Sequence, residues 1–427
     1  VYQLEINPAN KLQYKFDNEW LTLEEKQVKL HVKMSGIPIT VKRKTYWSKY
    51  GPTVITEKGS FSIRTAPLFD IRALEQWYRM NKATDFNSFY KALKMEALPG
   101  YNVMYADKYD SIFYLSNGKI PVREKGFNWS STLPGNTSKT LWTNYYPIEK
   151  LPNYLNPTSG YLFNSNHSPF NASAKTDNLY ASDFNPDMGY ETHENNRSMR
   201  FMQLLPVNEK INYHEFKRIK FDRQLPQQLA YSTKTDTLFL LNANDYPELS
   251  NVINTLQKWD KAATINSEGA TILSVIFYYV VDKLMKGDAS FKTLTKEKTV
   301  EVYRFANDYL LKYFGTASVP LGDYQKLVRG KKAIPLSGLP DVIASMESEP
   351  YKNGMVKGRQ GESYIELIQF TKQGPQIESI HSYGSSNKSG SKHYDDQMEL
   401  FEKQQLKTMT LDKTAIYKNA ERIYHPQ

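Results

Sequence analysis

Two polar clusters contain residues whose types and spacing could do chemistry. The first is the string Asn-Ser-Asn-His-Ser-Pro from Asn164 to Pro169, which follows Asn156-Pro157 and Gly160. Side-chain amides held between aromatic residues can aim N–H donors into a cleft, where they would stabilise a developing negative charge on oxygen. An ordinary turn rich in Asn and Ser has the same composition. Composition alone favours the turn.

The second cluster reads Ser-Lys-His-Tyr-Asp-Asp-Gln from Ser391 to Gln397 and follows the small-residue loop 384–387. Its alternative interpretation is a loop that leads into a helix capped by Asp395 or Asp396, because Asp accepts hydrogen bonds from the first free N–H groups of a helix. The residues alone favour this structural interpretation.

Standard catalytic motifs are absent from the sequence. It contains no Gly-x-Ser-x-Gly elbow, no His-Glu-x-x-His and no Walker loop. The 7 His residues show no metal-ligand spacing, and His31 lies in an alternating strand pattern that predicts solvent exposure or packing. The lack of Cys excludes disulfides, thiolate metal sites and a cysteine nucleophile.

The elements that would position these clusters are strand-rich at both ends of the chain. The predicted strands and hairpins comprise the alternating residues Val28, Leu30, Val32 and Met34, the pair Asn102–Ala106 and Ser111–Leu115, and the pair Ser363–Phe370 and Gln376–Tyr383 around Gln373-Gly374-Pro375.

Two short helices are predicted to interrupt the first strands. Asp70 is expected to cap a helix that buries Ile71, Leu74, Trp77 and Tyr78. Thr84 is expected to cap a second helix, with Phe86, Phe89, Tyr90 and Leu93 at helical spacing.

Helical periodicity dominates the middle of the chain, from residue 197 to 314. The most apolar stretch, Ala270 to Met285, contains Asp282 and Lys283 and is too short and polar to span a bilayer, so it predicts a buried helix. We therefore predict an α+β protein whose strand-rich parts, 1–190 and 355–427, form a core around a helical insertion at 197–350.

Composition argues against nucleic acid as a partner. The formal charge of +10 comes from 55 Lys and Arg distributed among 45 Asp and Glu, with no basic run that could follow phosphates. A hydrophobic fraction of 40% and an aromatic fraction of 13% indicate a folded globular protein.

Several short stretches, in their order and spacing, resemble the penicillin acylase family. That family includes acyl-homoserine-lactone and cyclic-lipopeptide acylases and belongs to the N-terminal nucleophile hydrolases. The stretches that carry the resemblance are Leu74–Trp77, Asn102–Asp107, Asn117–Arg123, Leu151-Pro152, Asn156–Tyr161 with Asn166, Arg197–Arg200 and Ser391–Gln397.

The resemblance implies a fold and a reaction. The fold would be an αββα sandwich of two antiparallel sheets with a largely helical insertion. The reaction would be hydrolysis of a linear amide by a Ser that becomes the first residue of the β-subunit when a precursor cleaves itself. The α-amino group of that Ser serves as its base, so no cofactor is required.

The resemblance also assigns roles to residues of this chain. Asn166 matches the Asn whose side-chain amide holds the oxyanion. Arg197 matches an active-site Arg that orients this Asn and the catalytic N-terminus through hydrogen bonds and charge, a task that suits a planar guanidinium. A structural calcium site would include Pro121, through its carbonyl, and Asp183, with further carboxylates before Val1. Oxygen ligands suit this cation, but the spacing around Asp183 differs from that of the family.

The nucleophile is expected to lie outside this sequence, because the family's β-subunit begins with Ser-Asn before the strand that matches Val1–Ile6. The chain alone is therefore expected to be inactive. Its expected partners are an α-subunit, the N-terminal part of the β-subunit and an acylated small molecule, in the periplasm or outside the cell.

The sequence does not define the acyl group or the amine core of the substrate. The core could be a β-lactam nucleus, a homoserine lactone or a lipopeptide, with corresponding roles in antibiotic metabolism or quorum quenching. The Ser391 to Gln397 pattern leans towards the lactone and lipopeptide acylases. An alternative is a non-catalytic protein that binds acyl ligands on the same scaffold.

Overall fold

The chain divides into two compact units in a computed structural model that describes residues 1–205 and 210–425. The first unit comprises Val1–Asn164 and Ser168–Thr192, and the second comprises Ser165–His167 and the chain from His193 onward. Residues 206–209 of the predicted insertion and the last two residues of the predicted core lie outside the described residues.

Strands and two short helices form the first unit. In chain order they are β1 (Tyr2–Leu4), β2 (Ile6–Asn7), β3 (Asn10–Phe16), β4 (Glu19–Thr22), β5 (Glu24–Met34), β6 (Ile37–Ser48), β7 (Gly51–Thr56), β8 (Gly59–Ser62), α1 (Ala73–Asn81), α2 (Phe86–Leu93), β9 (Tyr101–Ala106), β10 (Ile112–Asn117), β11 (Leu133–Pro134) and β12 (Asn153–Leu155).

The largest sheet has the strand order β11-β1-β8-β7-β6-β5, and its neighbours are antiparallel except for β1 and β11. Its long hairpin β5–β6 turns at Ser35 and Gly36, whose positive φ angles of 47° and 87° explain the glycine. His31 on β5 is exposed, which is one of the two environments predicted for it, and its Nδ1 lies 3.0 Å from the hydroxyl of Thr40. The predicted hairpin at residues 102–115 is confirmed by the pairing of β9 with β10.

The predicted buried face of α1 is wrong. The helix exists, but the apolar residues assigned to its buried face are exposed: Ile71 by 94%, Leu74 by 82%, Tyr78 by 63% and Trp77 by 43%. The physical reason is Gln76, whose Oε1 accepts hydrogen bonds from the backbone N–H groups of Ala97 and Leu98 at 2.7 and 3.1 Å. Satisfying those buried donors turns the polar side chain inward.

The predicted helix caps are also wrong in detail. Asp70 does not cap α1, and its carboxylate instead accepts from the guanidinium of Arg72, which lowers its pKa to about 2. The second helix is capped by Asp85, one residue after the predicted Thr84, in a capping box with Ser88.

Helices precede strands in the second unit. The elements are α3 (Asn196–Leu204), α4 (Tyr213–Lys220), α5 (Ser250–Lys258), α6 (Glu268–Met285), α7 (Lys296–Phe314), α8 (Leu321–Tyr324), β13 (Gln325–Arg329), β14 (Lys332–Pro335), β15 (Met346–Pro350), β16 (Val356–Gly361), β17 (Tyr364–Thr371), β18 (Gly374–His381), α9 (Met398–Glu402), β19 (Lys407–Met409) and α10 (Lys413–Asn419).

A helical core in this unit is built on α5, α6 and α7. The apolar run from Ala270 forms the predicted buried helix, because the first half of α6 is almost completely buried. Within the described ranges, no helix is both long enough and apolar enough to cross a membrane. Helix α5 lies within the predicted helical region and buries Val252, Ile253 and Leu256.

Two smaller sheets complete the second unit, with orders β14-β13-β16-β15 and β17-β18-β19. The predicted terminal hairpin is confirmed, since β17 pairs with β18 from Tyr364 opposite His381 to Thr371 opposite Gly374. Helices and mainly antiparallel sheets together confirm the predicted α+β class. The division into a core and an insertion stays a prediction.

Close packing at Gly269 on α6 gives a stability prediction. A Cβ at this position would lie 2.3 Å from Cγ and 2.5 Å from Cβ of Trp259. We expect Gly269→Ala to lower the free energy of unfolding by about 1–3 kcal/mol, because overpacking outweighs the helix preference of Ala. Gly390→Ala is the control, since nothing lies within 4 Å of its added Cβ. Urea unfolding followed by circular dichroism compares them, and equal stability of the two variants would contradict the packing.

Candidate active site

Asn166 occupies a strained position in the short run Ser165–His167. Its φ of 60° lies in the left-handed region, and its side chain is exposed. Asn is one of the few residues other than Gly that tolerate this conformation. The cluster singled out in the sequence is therefore a turn, but a turn that presents an amide at its apex.

Arg197, the second predicted site residue, contacts that amide directly. Its Nη1 donates to Oδ1 of Asn166 at 3.3 Å. A guanidinium can only donate, so this contact places Oδ1, and not the donor Nδ2, on the side of Arg197. The structure thus brings together the two residues selected by the family resemblance, and their catalytic roles stay predictions.

Asp341 completes the group and was missed by reasoning from the sequence. Its Oδ1 accepts from Nε of Arg197 at 2.9 Å, and its Oδ2 accepts from the backbone N–H and from Nδ2 of Asn196 at 2.8 and 2.9 Å. Asp341 lies 144 positions from Arg197 in the sequence. No local spacing could have indicated the pair.

The N-terminus of α3 connects the helix that carries Arg197 to the segment that carries Asn166. Asn195 is its N-cap, and Oδ1 of Asn195 accepts from the backbone N–H of Ser198 at 2.9 Å in a capping box. Nδ2 of the same side chain donates to the carbonyl of Ser165 at 2.8 Å. One amide therefore starts the helix and holds the segment that carries Asn166.

The turn around Asn166 is stiffened from within. His167 is only 4% exposed, and its Nδ1 accepts from the backbone N–H of Ser165 at 3.2 Å and lies 3.1 Å from the Ser165 hydroxyl. Ser168 accepts from the N–H of Phe170 and so begins the next helical turn. The small polar residues of the cluster build the turn, while Asn166 is presented at its surface.

The second polar cluster, Ser391 to Gln397, lies in the same unit but makes a different set of contacts. The predicted cap by Asp395 or Asp396 is wrong, because α9 begins at Met398 after Gln397 and has no side-chain cap. Asp396 instead lies 2.8 Å from Nδ1 of His393, and Glu421 lies 3.1 Å from its Nε2. The carboxylate of Asp396 therefore contacts the imidazole of His393 and does not cap the helix.

His393 gives a pH prediction. Both ring nitrogens face carboxylates, so the hydrogen bonds to Asp396 and Glu421 raise its pKa above 6.5. Because the folded-state pKa is raised, the stabilising contacts are complete below pH 6.5 and are lost as the pH rises through the folded-state value. NMR titration of the ring should give a midpoint above 6.5, and Glu421→Gln should lower it. A midpoint at or below 6.5 in the unsubstituted protein would refute the two-carboxylate contact.

The predicted calcium residues both lie in the first unit. Pro121 is buried and forms a β-bridge with Tyr145. Asp183 is exposed and lines a cavity of about 540 Å³ together with Tyr146, Glu149 and Phe184. No three His, Asp or Glu side chains converge on a metal position in the part of the chain that the structure describes. These residues do not supply a full ligand set, and calcium stays a prediction.

Comparison with known proteins defines first the class of fold and then the family. The structure is similar to that of a thermostable penicillin G acylase from Alcaligenes faecalis, with a TM-score of 0.65, 16% identity, and coverage of 100% of this chain and 86% of that chain. The fold is therefore that of the N-terminal nucleophile hydrolases. The family model for penicillin amidase matches residues 1–418, and the chain belongs to the penicillin amidase family.

Two relatives show how the similarity is distributed. An acyl-homoserine lactone acylase PvdQ from Pseudomonas fluorescens is 22% identical over 458 residues, which cover 95% of this chain and 58% of that protein. A penicillin G acylase from Escherichia coli is 33% identical over 100 residues, which cover 23% of this chain and 12% of that protein. The chain thus spans little more than half the length of the first of these relatives.

Proposed function

We propose that the protein containing this chain is an acylase that hydrolyses a linear amide and releases an acyl group from an amine-bearing core. Membership of the penicillin amidase family supports the reaction class. The observation that carries the proposal is the contact between Arg197 and Oδ1 of Asn166, which turns the donor end of the amide away from the cation. This is the arrangement an oxyanion donor requires.

In the proposed mechanism, the donor acts on the tetrahedral intermediate. Attack on the amide carbon places negative charge on the former carbonyl oxygen, and Nδ2 of Asn166 donates a hydrogen bond to it. A donor whose direction is already fixed needs no reorganisation when the charge develops, and such donors are among the largest contributions to acyl-transfer catalysis. The guanidinium of Arg197 fixes that direction and adds positive charge nearby.

The nucleophile in this proposal is an N-terminal Ser contributed by a segment outside this sequence. It would be exposed by autocatalytic cleavage, and its own α-amine would accept its proton. An α-subunit and the first part of the β-subunit would complete the enzyme, and we place the protein in the periplasm or outside the cell on the basis of its family. No cofactor takes part in this chemistry.

For the substrate, we propose amides with an aliphatic acyl chain, such as N-acyl-homoserine lactones. The support is the extent of the similarity: the relative named acyl-homoserine lactone acylase aligns with 95% of this chain, whereas the Escherichia coli penicillin G acylase aligns with 23%. The Ser391 to Gln397 pattern leans in the same direction.

The test is to purify the full-length protein, determine the N-terminal sequence of each of its chains, and measure amine release from N-acyl-homoserine lactones and from phenylacetyl amides. A chain that begins with Ser, together with turnover, is the expected result. Faster turnover of the phenylacetyl amides would refute the substrate assignment alone. Binding of acyl ligands without turnover would refute the enzyme and leave the acyl-binding alternative.

A further inference from the structure

We infer that Asp341 is a positioning residue of the active site, which acts through Arg197 to hold the amide of Asn166 in its donating orientation. The inference rests on the proposed function, in which Asn166 is the oxyanion donor. Asp341 contacts the guanidinium of Arg197, and this guanidinium contacts the amide of Asn166, so the effect of Asp341 would be transmitted through the guanidinium.

Two nitrogens of the Arg197 guanidinium donate hydrogen bonds to different residues. Nε donates to Oδ1 of Asp341 at 2.9 Å, while Nη1 donates to Oδ1 of Asn166 at 3.3 Å. Because the group is planar, fixing Nε also fixes the direction in which Nη1 points. The shorter, charge-assisted bond to Asp341 therefore sets the geometry of the longer bond to the neutral amide.

Asp341 is itself held firmly enough for this task. Its other oxygen accepts from the backbone N–H and side-chain amide of Asn196, which is completely buried. The backbone N–H lies at the first residue of α3, where the helix dipole favours a carboxylate. Asn196 is tied in turn to the N–H of Ala230 at 2.6 Å through its Oδ1.

The backbone before Asp341 is fixed as well. Tyr231 donates from its hydroxyl to the carbonyl of Pro340 at 3.1 Å. Burial, and then the charge of Asp341, raise the pKa of Tyr231, so that its hydroxyl keeps the proton it donates. Asp341 has a φ of 63°, a left-handed conformation that is retained only when the surroundings determine it.

Arg200, which lies on the same helix as Arg197, forms with Asp222 a matched control pair. Nε and Nη2 of Arg200 donate to the two carboxylate oxygens of Asp222 at 3.0 and 2.9 Å, and Nη2 also donates to Gln224. This is an Arg–Asp pair of similar burial, with side-chain exposures of 18% and 10% against 25% and 20% for Arg197 and Asp341. Its guanidinium is directed at structural partners instead of Asn166.

The experiment is a double-mutant cycle in the full-length protein, with Asp341→Asn and Asn166→Ala made singly and together. Asn tolerates a positive φ as well as Asp does, so the substitution removes charge with little backbone change. We expect Asp341→Asn to lower kcat about tenfold with little change in KM when Asn166 is present. We expect it to lower kcat less than about twofold in the Asn166→Ala background, because the group it positions is gone.

The Asp222→Asn variant is the control and is measured in the same kinetic assays. Urea unfolding is measured for every variant. A merely structural role predicts that both Asp variants change stability and that neither changes kcat through Asn166. An equal kcat loss from Asp341→Asn in the two backgrounds, or no loss when Asn166 is present, overturns the inference.

A crystal structure of the Asp341→Asn protein separates this inference from the proposed function. If the unsubstituted protein turns over no amide, the proposed function fails, and the distance from Nη1 of Arg197 to Oδ1 of Asn166 then decides the positioning claim. A distance beyond about 4 Å in Asp341→Asn, but not in Asp222→Asn, supports positioning. An unchanged contact overturns it.

Discussion

Replacing Asn166 by Ala in the full-length protein is expected to lower kcat by about a hundredfold or more and to change KM by less than about threefold. The physical reason is that an oxyanion donor interacts more strongly with the tetrahedral intermediate than with the neutral amide of the substrate, so its loss raises the barrier without weakening substrate binding. Steady-state amine release at varied substrate concentration separates the two constants.

The left-handed backbone at Asn166 requires a second variant. Ala at a φ of 60° adds strain that could itself distort the turn. Asn166→Gly removes the amide without that strain, because Gly adopts positive φ freely. If the amide is what matters, the Gly and Ala variants lose kcat equally. Recovery of activity in the Gly variant would show that turn geometry, and not a hydrogen-bond donor, caused the loss.

Replacing Arg197 by Ala is expected to lower kcat by about a hundredfold and also to destabilise the protein. The amide of Asn166 loses the group that fixes its orientation, and misplacing a catalytic group by about an ångström costs about this much. The substitution also leaves the carboxylate of Asp341 without its cation. In the unsubstituted protein the side chains of Arg197 and Asp341 are 25% and 20% exposed. Because solvent still reaches the pair, we expect the free energy of unfolding to fall by about 1–2 kcal/mol. Breaking a fully buried ion pair would lower it by more.

Arg197→Lys distinguishes charge from geometry. An ammonium keeps the positive charge beside Asp341 and should restore most of the stability. It is a single point donor group and lacks the planar fork that reaches both Asp341 and Asn166, so kcat should stay low. Urea unfolding and steady-state kinetics on the Ala and Lys variants measure the two effects. A Lys variant with full kcat would refute the positioning role assigned to the guanidinium.

The sequence predicts local structure correctly where the apolar pattern of a helix or strand alone decides which residues are buried. The apolar run from Ala270 forms a buried helix, and the strands on either side of Gly374 form a hairpin as predicted. The face of α1 was wrong because a buried Gln76 satisfies backbone donors some twenty positions away, at Ala97 and Leu98. Hydrophobic periodicity contains no information about such distant donors.

The candidate site was also predicted only in part from the sequence. The order of short motifs in the sequence by itself determined the family, and through it Asn166 and Arg197 as the candidate residues. The resemblance also led us to expect that Arg197 orients this Asn, and the two side chains are in contact. Only the tertiary structure decided that the Asn sits at a positive φ and that Asp341 holds the Arg. Hydrogen bonds between side chains depend on ångström-scale positions that the fold sets, and residues 144 positions apart leave no shared pattern in one sequence.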